Sequence, residues 1–128
     1  MHVLLIAAAS LAALAGAQPA GTAPSWIRVA RGPQHTTYLD VRSVGARGTI
    51  RSAWTRSDYD APTPTGAIRT YFNQDVDCAA RTLTMTEFVN HDRGGRVLSR
   101  AAIPPATRRT NPVGAGTQGE SLLNMVCN

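Results

Sequence analysis

The stretch Asp75–Phe88, Asp-Val-Asp-Cys-Ala-Ala-Arg-Thr-Leu-Thr-Met-Thr-Glu-Phe, decides how the chain is held together. It contains Cys78, one of two cysteines in the sequence, and the other is Cys127. A bond between them would close a loop of about 50 residues and stabilise the fold by roughly 4 kcal/mol, because it restricts the unfolded chain. The C-terminal segment would then be held against the middle of the chain.

The first 17 residues have the composition of a secretory signal peptide. Residues 3–14 are apolar except for Ser10, and residues 15–17 are small, although no basic residue precedes the apolar run. This pattern is typical of export signals. The apolar run is shorter than the roughly 20 apolar residues that are needed to span a membrane. The predicted segments are a signal peptide (1–17), a flexible leader (18–24) and a single domain (25–128).

Export favours a disulfide as the interpretation of the two cysteines, because compartments outside the cytoplasm are oxidising. A catalytic cysteine with a histidine partner is the alternative that the sequence leaves open. No cysteine lies at the predicted cleavage site. We therefore expect an exported protein that is periplasmic, secreted or at the cell surface and is not lipid-anchored.

The net charge of the chain is strongly positive. All 13 basic residues are arginine, and eight acidic residues oppose them, which gives a formal net charge of +5 and a pI near 10.2. Codon bias explains the choice of arginine over lysine, but it does not explain the net charge. The excess favours anionic partners such as acidic glycans, lipopolysaccharide, membrane surfaces or nucleic acid.

Alternating polar and apolar residues predict a sheet of five or six antiparallel strands. The alternation is clearest over residues 49–56, where Ile50, Ser52 and Trp54 share one phase. Residues 43–48 and 104–116 are rich in glycine or proline and are expected to be irregular connections. The predicted strands are 26–30, 36–41, 49–56, 67–77, 81–89 and 96–103.

One short helix is predicted at the C-terminal end. Thr117 and Glu120 fit a capping box, in which each side chain accepts a hydrogen bond from the backbone of the other. Leu122, Leu123 and Val126 give the next ten residues an apolar stripe. A helix this short must dock to be stable. The predicted class is thus α+β, mainly β, with the helix against the sheet.

The order and spacing of one set of residues along the chain are moderately specific: Trp26, Tyr38-Leu39-Asp40, Ser43-Val44, Trp54, Asp77-Cys78, Arg81, Leu122-Leu123 and Val126-Cys127. In these residues the chain resembles the surface-adhesin protein E family of Gram-negative bacteria. The resemblance implies an antiparallel sheet with a C-terminal helix fastened by a Cys78–Cys127 disulfide, and display in the envelope or at the surface. The lipid-bearing cysteine common in surface members is absent, and the connection over 106–117 is longer than in the family.

Five arginines within 17 positions are the predicted surface for an anionic partner. No acidic residue lies between Asp92 and Glu120, and arginine forks suit sulfate, phosphate and carboxylate groups. Ordinary solvated surface charge is the competing interpretation. Nucleic acid is disfavoured because no aromatic residues for base stacking are interleaved. The five are Arg93, Arg96, Arg100, Arg108 and Arg109.

Asn73, Asp75 and Asp77 alternate along one predicted strand and are the candidate oxygen ligands for a cation. The pattern does not match a calcium loop, because Cys78 stands where glycine is required. We interpret the three as a polar sheet face, with Asp77 neutralising Arg81. No metal and no cofactor are predicted.

The acid and base residues available to an enzyme are His35, His91, Glu87 and Glu120. Two histidines and a glutamate that face one cleft can catalyse phosphodiester transfer, but both histidines are expected in exposed loops. No nucleophile or metal motif occurs. A small secreted ribonuclease is therefore the least favoured hypothesis.

The favoured hypothesis is an exported, non-enzymatic binding module, adhesin-like, that recognises host matrix or anionic macromolecules through its sheet face and arginine-rich loops. The alternative is a periplasmic accessory protein that binds another envelope component. A homodimer formed through the edge strand 26–30 is a further expectation.

Overall fold

The computed structural model describes residues 23–128. The predicted signal peptide (1–17) and most of the predicted leader (18–24) lie outside the described residues. Short 3-10 turns cover Val41–Ser43 and Pro105–Thr107. The strands are β1 (Trp26–Arg31), β2 (His35–Asp40), β3 (Gly45–Arg47), β4 (Ile50–Tyr59), β5 (Arg69–Asp77), β6 (Thr82–His91), β7 (Val97–Ala102) and β8 (Thr110–Pro112), and the helix is α1 (Gln118–Cys127).

The eight strands of residues 23–128 form one antiparallel sheet in the order β1-β2-β4-β5-β6-β7. The short β3 pairs with the first part of β4, and β8 with the first part of β6. The predicted fold class is confirmed, and the six long strands lie where alternation predicts them. The prediction that residues 43–48 and 104–116 are irregular was wrong at β3 and β8. The strand β3 pairs with the part of β4 that β2 does not reach, and β8 pairs with the part of β6 that β7 does not reach.

One face of the sheet carries the core. Leu39, Ala53 and Val76 are buried there beneath the helix residues Leu122 and Leu123. The helix is short, so burial of its apolar stripe supplies most of its stability. Because successive strand residues alternate between faces, Tyr38, Arg56 and Tyr71 lie on the other side. We call the side of these three residues the open face and the other the helix-covered face.

The helix is fixed at both ends. Thr117 Oγ1 accepts a hydrogen bond from the Glu120 amide at 3.3 Å, as the capping box predicts. Glu120 Oε1 accepts from the Gly116 amide at 3.3 Å, one residue earlier than expected. The Cys78–Cys127 disulfide joins the other end to the turn after β5, with a Cα–Cα distance of 5.6 Å. The sequence predictions of the helix and of its covalent link are confirmed.

The outer edges of the sheet are β1 and β7. Edge strands present backbone groups that can pair with another chain. The expected homodimer through β1 stays a prediction.

Candidate binding surface

A row of arginine and tyrosine side chains crosses the open face from β1 to β7. Directly opposed residues of adjacent antiparallel strands lie on the same face, with Cβ atoms about 4.5–5.5 Å apart. The register therefore places six side chains in one line across the six long strands. We call this line the Arg/Tyr row, and its members in order are Arg28, Tyr38, Arg56, Tyr71, Val89 and Arg100.

Arg56 lies at the centre of the Arg/Tyr row between two aromatic rings. Its guanidinium carbon is 4.5 Å from the ring centroid of Tyr38 and 4.9 Å from that of Trp26. Such stacking contributes about 0.5–2 kcal/mol per ring. The side chain is 15% exposed, and its Nε atom, 3.2 Å from Asp58 Oδ1, makes no hydrogen bond within residues 23–128. The Arg56 guanidinium is thus held rigidly at the middle of the face, as an ion pair with Asp58.

Neighbouring side chains fix the aromatic part of this surface. The Tyr71 ring lies 5.8 Å from Trp26 and 5.1 Å from His91, the latter in an edge-on arrangement. Arg69 donates two hydrogen bonds to the Asp58 carboxylate, at 2.6 and 3.1 Å. These bonds raise the pKa of Arg69 above its ordinary value. The open face therefore combines fixed cations with flat apolar rings.

The five predicted arginines do not form one cluster. Arg93 and Arg96 lie at the turn before β7, whereas Arg108 and Arg109 follow the 3-10 turn after it. Six extended residues separate the two pairs by about 17 Å along the strand. Between them Arg100 joins the Arg/Tyr row. The five predicted arginines are therefore distributed along the β7 edge, and Arg100 is the one of them that also belongs to the Arg/Tyr row.

Few of these arginines are neutralised by acids. Arg96 lies 3.5 Å from Asp92. Within the described part of the chain, the other four predicted arginines have no carboxylate oxygen within 4.0 Å. Arg108 donates instead to the backbone oxygen of Ile103 at 2.8 Å. The β7 edge thus retains uncompensated positive charge.

The oxygen-bearing residues of β5 serve local structure. Asp77 accepts hydrogen bonds from the amides of Ala79 and Ala80, at 3.0 and 2.9 Å, and so closes the turn before β6. The prediction that Asp77 neutralises Arg81 was wrong, because Arg81 pairs with Glu120 at 3.5 Å. Asp75 lies 4.0 Å from Arg47, and Asn73 accepts from Ser52 and Thr86 at 3.3 Å each. No group of three metal-ligating side chains occurs within residues 23–128.

The two histidines lie on opposite faces of the sheet. His35 Nε2 bonds to Gln118 Oε1 at 3.0 Å on the helix-covered face, whereas His91 stacks on Tyr71 on the open face. Both are half-buried at strand ends, so the expectation of exposed loop residues was wrong. Glu87 lies on β6 opposite Asn73, and Glu120 is in the first turn of α1. The pair of imidazoles required by the ribonuclease hypothesis therefore does not share a cleft.

Sequence reasoning missed the members of the Arg/Tyr row other than Arg100. Alternation in the sequence assigns Tyr38, Arg56 and Tyr71 to one phase of their strands, but it does not say which phase faces outward. What brings them into line is the register between strands, which depends on turn geometry.

The family model for surface-adhesin protein E matches residues 26–128. The chain belongs to this family. The resemblance seen in the sequence is thereby confirmed, and the chain is an adhesin-type surface protein. A comparison with curated protein sequences found no match.

Solved structures of Haemophilus influenzae protein E share the fold. Its crystal form II aligns with a TM-score of 0.59 and 21% identity, covering 87% of this chain and 93% of the other. A second structure of the same protein gives a TM-score of 0.60 and 21% identity, covering 87% and 89% of the two chains. At this identity, the protein E likeness establishes the architecture.

No helix in residues 23–128 has the length and apolar character needed to cross a membrane.

Proposed function

We propose that this chain is an exported, non-enzymatic adhesin-like module that binds anionic macromolecules, acidic glycans or acidic segments of matrix proteins, across its open face. The observation that carries the proposal is the Arg/Tyr row, which places three guanidinium groups, two tyrosine rings and one valine in line on the side of the sheet that the helix leaves uncovered. Membership of the surface-adhesin family supports it.

The ends of the row are suited to contact a polymer. Arg28 and Arg100 are exposed, and neither has a carboxylate within 4.0 Å in the described part of the chain. Five inter-strand spacings separate them by about 24 Å. An extended polyanion of that length contacts a free guanidinium at each end and the ring surfaces between them. Guanidinium groups bind sulfate and carboxylate through two parallel hydrogen bonds.

The β7 edge extends this surface. Arg93, Arg108 and Arg109 add positive charge beside the end of the row at Arg100, and they attract an anionic chain before it docks. Their contribution is expected to be mainly electrostatic, because they lie in or beside connections and their charges are screened by salt.

Binding of the purified protein to heparin and to immobilised matrix proteins at physiological salt tests the proposal. The double variant Arg28→Ala/Arg100→Ala is expected to weaken binding roughly 30-fold, at about 1 kcal/mol for each lost contact. The matched control is Arg42→Ala/Arg51→Ala, which removes the same charge away from the row. We expect the control to weaken binding less than threefold.

Two results contradict the proposal. One is the absence of saturable binding to any of these ligands at physiological salt. The other is that Arg28→Ala/Arg100→Ala and Arg42→Ala/Arg51→Ala weaken binding equally, because binding would then depend on net charge and not on the Arg/Tyr row. Protease treatment of intact cells separates the surface location from the periplasmic alternative, because a periplasmic protein stays protected until the outer membrane is opened.

A further inference from the structure

A cavity of about 210 Å³ lies between the first turn of α1 and the helix-covered face, on the other side of the sheet from the Arg/Tyr row. Ligand sites for drug-sized compounds span about 300–1,000 Å³. This cavity is smaller, so its size fits a ligand with a single ring. It is lined by His35, Thr37, Thr55, Ser57, Phe72, Gln74, Leu83, Met85, Gln118, Gly119 and Leu122.

Two hydroxyl groups in this cavity, on residues that are largely buried, keep hydrogen-bonding capacity that neighbouring side chains do not use. Ser57 is 7% exposed, and its hydroxyl makes no side-chain hydrogen bond within residues 23–128. Thr55 is 1% exposed, and its hydroxyl accepts from Gln74 Nε2 at 2.8 Å, which leaves its own proton free to donate. Hydrogen-bonding capacity of this kind, in a concave site, is available to a ligand. Both groups would be satisfied by a polar ligand in the cavity.

The wall formed by the helix is fixed in place. Gln118 Oε1 accepts a hydrogen bond from Thr37 Oγ1 at 2.9 Å and lies 3.0 Å from His35 Nε2. A carboxamide oxygen is an acceptor, so the proton of the imidazole is on Nε2. Gly32 makes this arrangement possible, because a Cβ atom there would lie 2.2 Å from Gln118 Nε2. The polar groups of the site are therefore preorganised.

The remaining lining is apolar apart from Gln74, and the cavity carries no carboxylate and no guanidinium. Hydrophobic surface in the cavity comes from Phe72, the direct cross-strand neighbour of Thr55, and from Leu83, Met85 and Leu122. A charged ligand would be desolvated there without an oppositely charged partner, which is unfavourable. An apolar ligand would exclude water from the Ser57 hydroxyl and offer it no hydrogen bond in exchange, which is also unfavourable. A ligand with hydroxyl groups on its edge and an apolar flat face satisfies both surfaces.

We propose that this cavity binds one neutral sugar ring. The ring hydroxyls hydrogen-bond to Ser57, Thr55 and the Gln118 side chain, and the apolar face of the ring packs on Phe72. The site is independent of the open face, so the protein has a second, uncharged carbohydrate specificity.

Titration of the isotope-labelled protein with glucose, galactose and N-acetylglucosamine, followed by two-dimensional NMR, tests this site. At least one sugar is expected to shift the amide resonances of Thr55, Ser57 and Gln118 saturably, with a Kd no weaker than about 10 mM. Ser57→Ala removes one hydroxyl with little change in volume and should weaken binding about tenfold. Ser57→Val fills the cavity and should abolish binding. Ser52→Ala, a matched serine on the open face, is the control.

The proposal is overturned if none of the three sugars shifts these resonances. It is also overturned if Ser57→Val leaves the shifts unchanged, or if benzene binds in the cavity and the sugars do not. Thermal unfolding of each variant verifies that it is folded. The Arg28→Ala/Arg100→Ala variant is expected to retain sugar binding, so failure of the polyanion proposal and failure of this one are distinguishable.

Discussion

Replacement of both cysteines, Cys78→Ala/Cys127→Ala, removes the covalent link between α1 and the sheet. The two residues are 49 positions apart, and restoring the freedom of a loop of that length destabilises the fold by about 4 kcal/mol. In a domain of this size, 1 kcal/mol lowers Tm by about 4–8 °C. We therefore expect Tm to fall by about 15–30 °C, measured by circular dichroism.

The loss should be concentrated in the helix. Without the bond, α1 is retained by burial of Leu122, Leu123 and Val126, and a ten-residue helix does not persist once undocked. Hydrogen exchange should therefore accelerate more in α1 than in β5, because the helix can open without the sheet unfolding.

Ala79→Ser, in the same turn as Cys78, is the control, and we expect it to change stability by less than about 0.5 kcal/mol. Reduced wild-type protein should behave like the double variant. A fall in Tm below about 5 °C, together with unchanged exchange in α1, would refute the reasoning that this link secures the helix.

Three further perturbations test other parts of the structure. Hydrogen bonds from Arg31 hold the pKa of Asp60 below its ordinary value. The stabilisation that they give the folded state is therefore complete above about pH 4 and is lost as the pH falls through the lower pKa of the folded state. In Asp60→Asn, Tm should depend less on pH at acid pH than in the wild type, and an unchanged dependence contradicts this. Gly32→Ala should displace the Gln118 side chain with little loss of Tm, which NMR would show as a shift of its side-chain amide resonance; an unmoved resonance contradicts the predicted contact. Thr117→Ala should cost about 1 kcal/mol in urea unfolding through loss of the N-cap, and Thr117→Asn should preserve it; equal losses in both would contradict a capping role.

The sequence of β4 shows what the alternation of polar and apolar residues can predict and what it cannot. It predicts the strand, but it does not predict which face is buried. The buried residues are Ala53, Thr55 and Ser57, whereas the large side chains of Trp54 and Arg56 lie on or toward the open face. Hydrophobicity alone favours burying tryptophan. The buried side chains of β4 are small because α1 contributes Leu122 and Leu123 to the core and must lie close to the sheet.

The candidate binding surface was predictable only in part. Arg100 was predicted because it lies near other arginines in the sequence, but an extended strand separates residues that a sequence window groups together. Arg28 and Arg56 are distant from it along the chain and reach the same line through five and three strand pairings, respectively. Three of those pairings contain a register shift, between Arg28 and Ala30, between Asn73 and Gln74, and between Asn90 and His91. Such irregularities depend on tertiary contacts and leave no simple periodic signal.

The position of the disulfide also determines how the molecule would bear mechanical load. Tension applied beyond Cys127 passes through the sulfur atoms to Cys78, at the end of β5, and bypasses the apolar contacts of α1. The force then acts on β5, a central strand that pairs over nine residues with each of its neighbours β4 and β6. If a bound ligand pulled on the protein in shear flow, β5 would be the last strand to separate, because many backbone hydrogen bonds must break before the sheet opens.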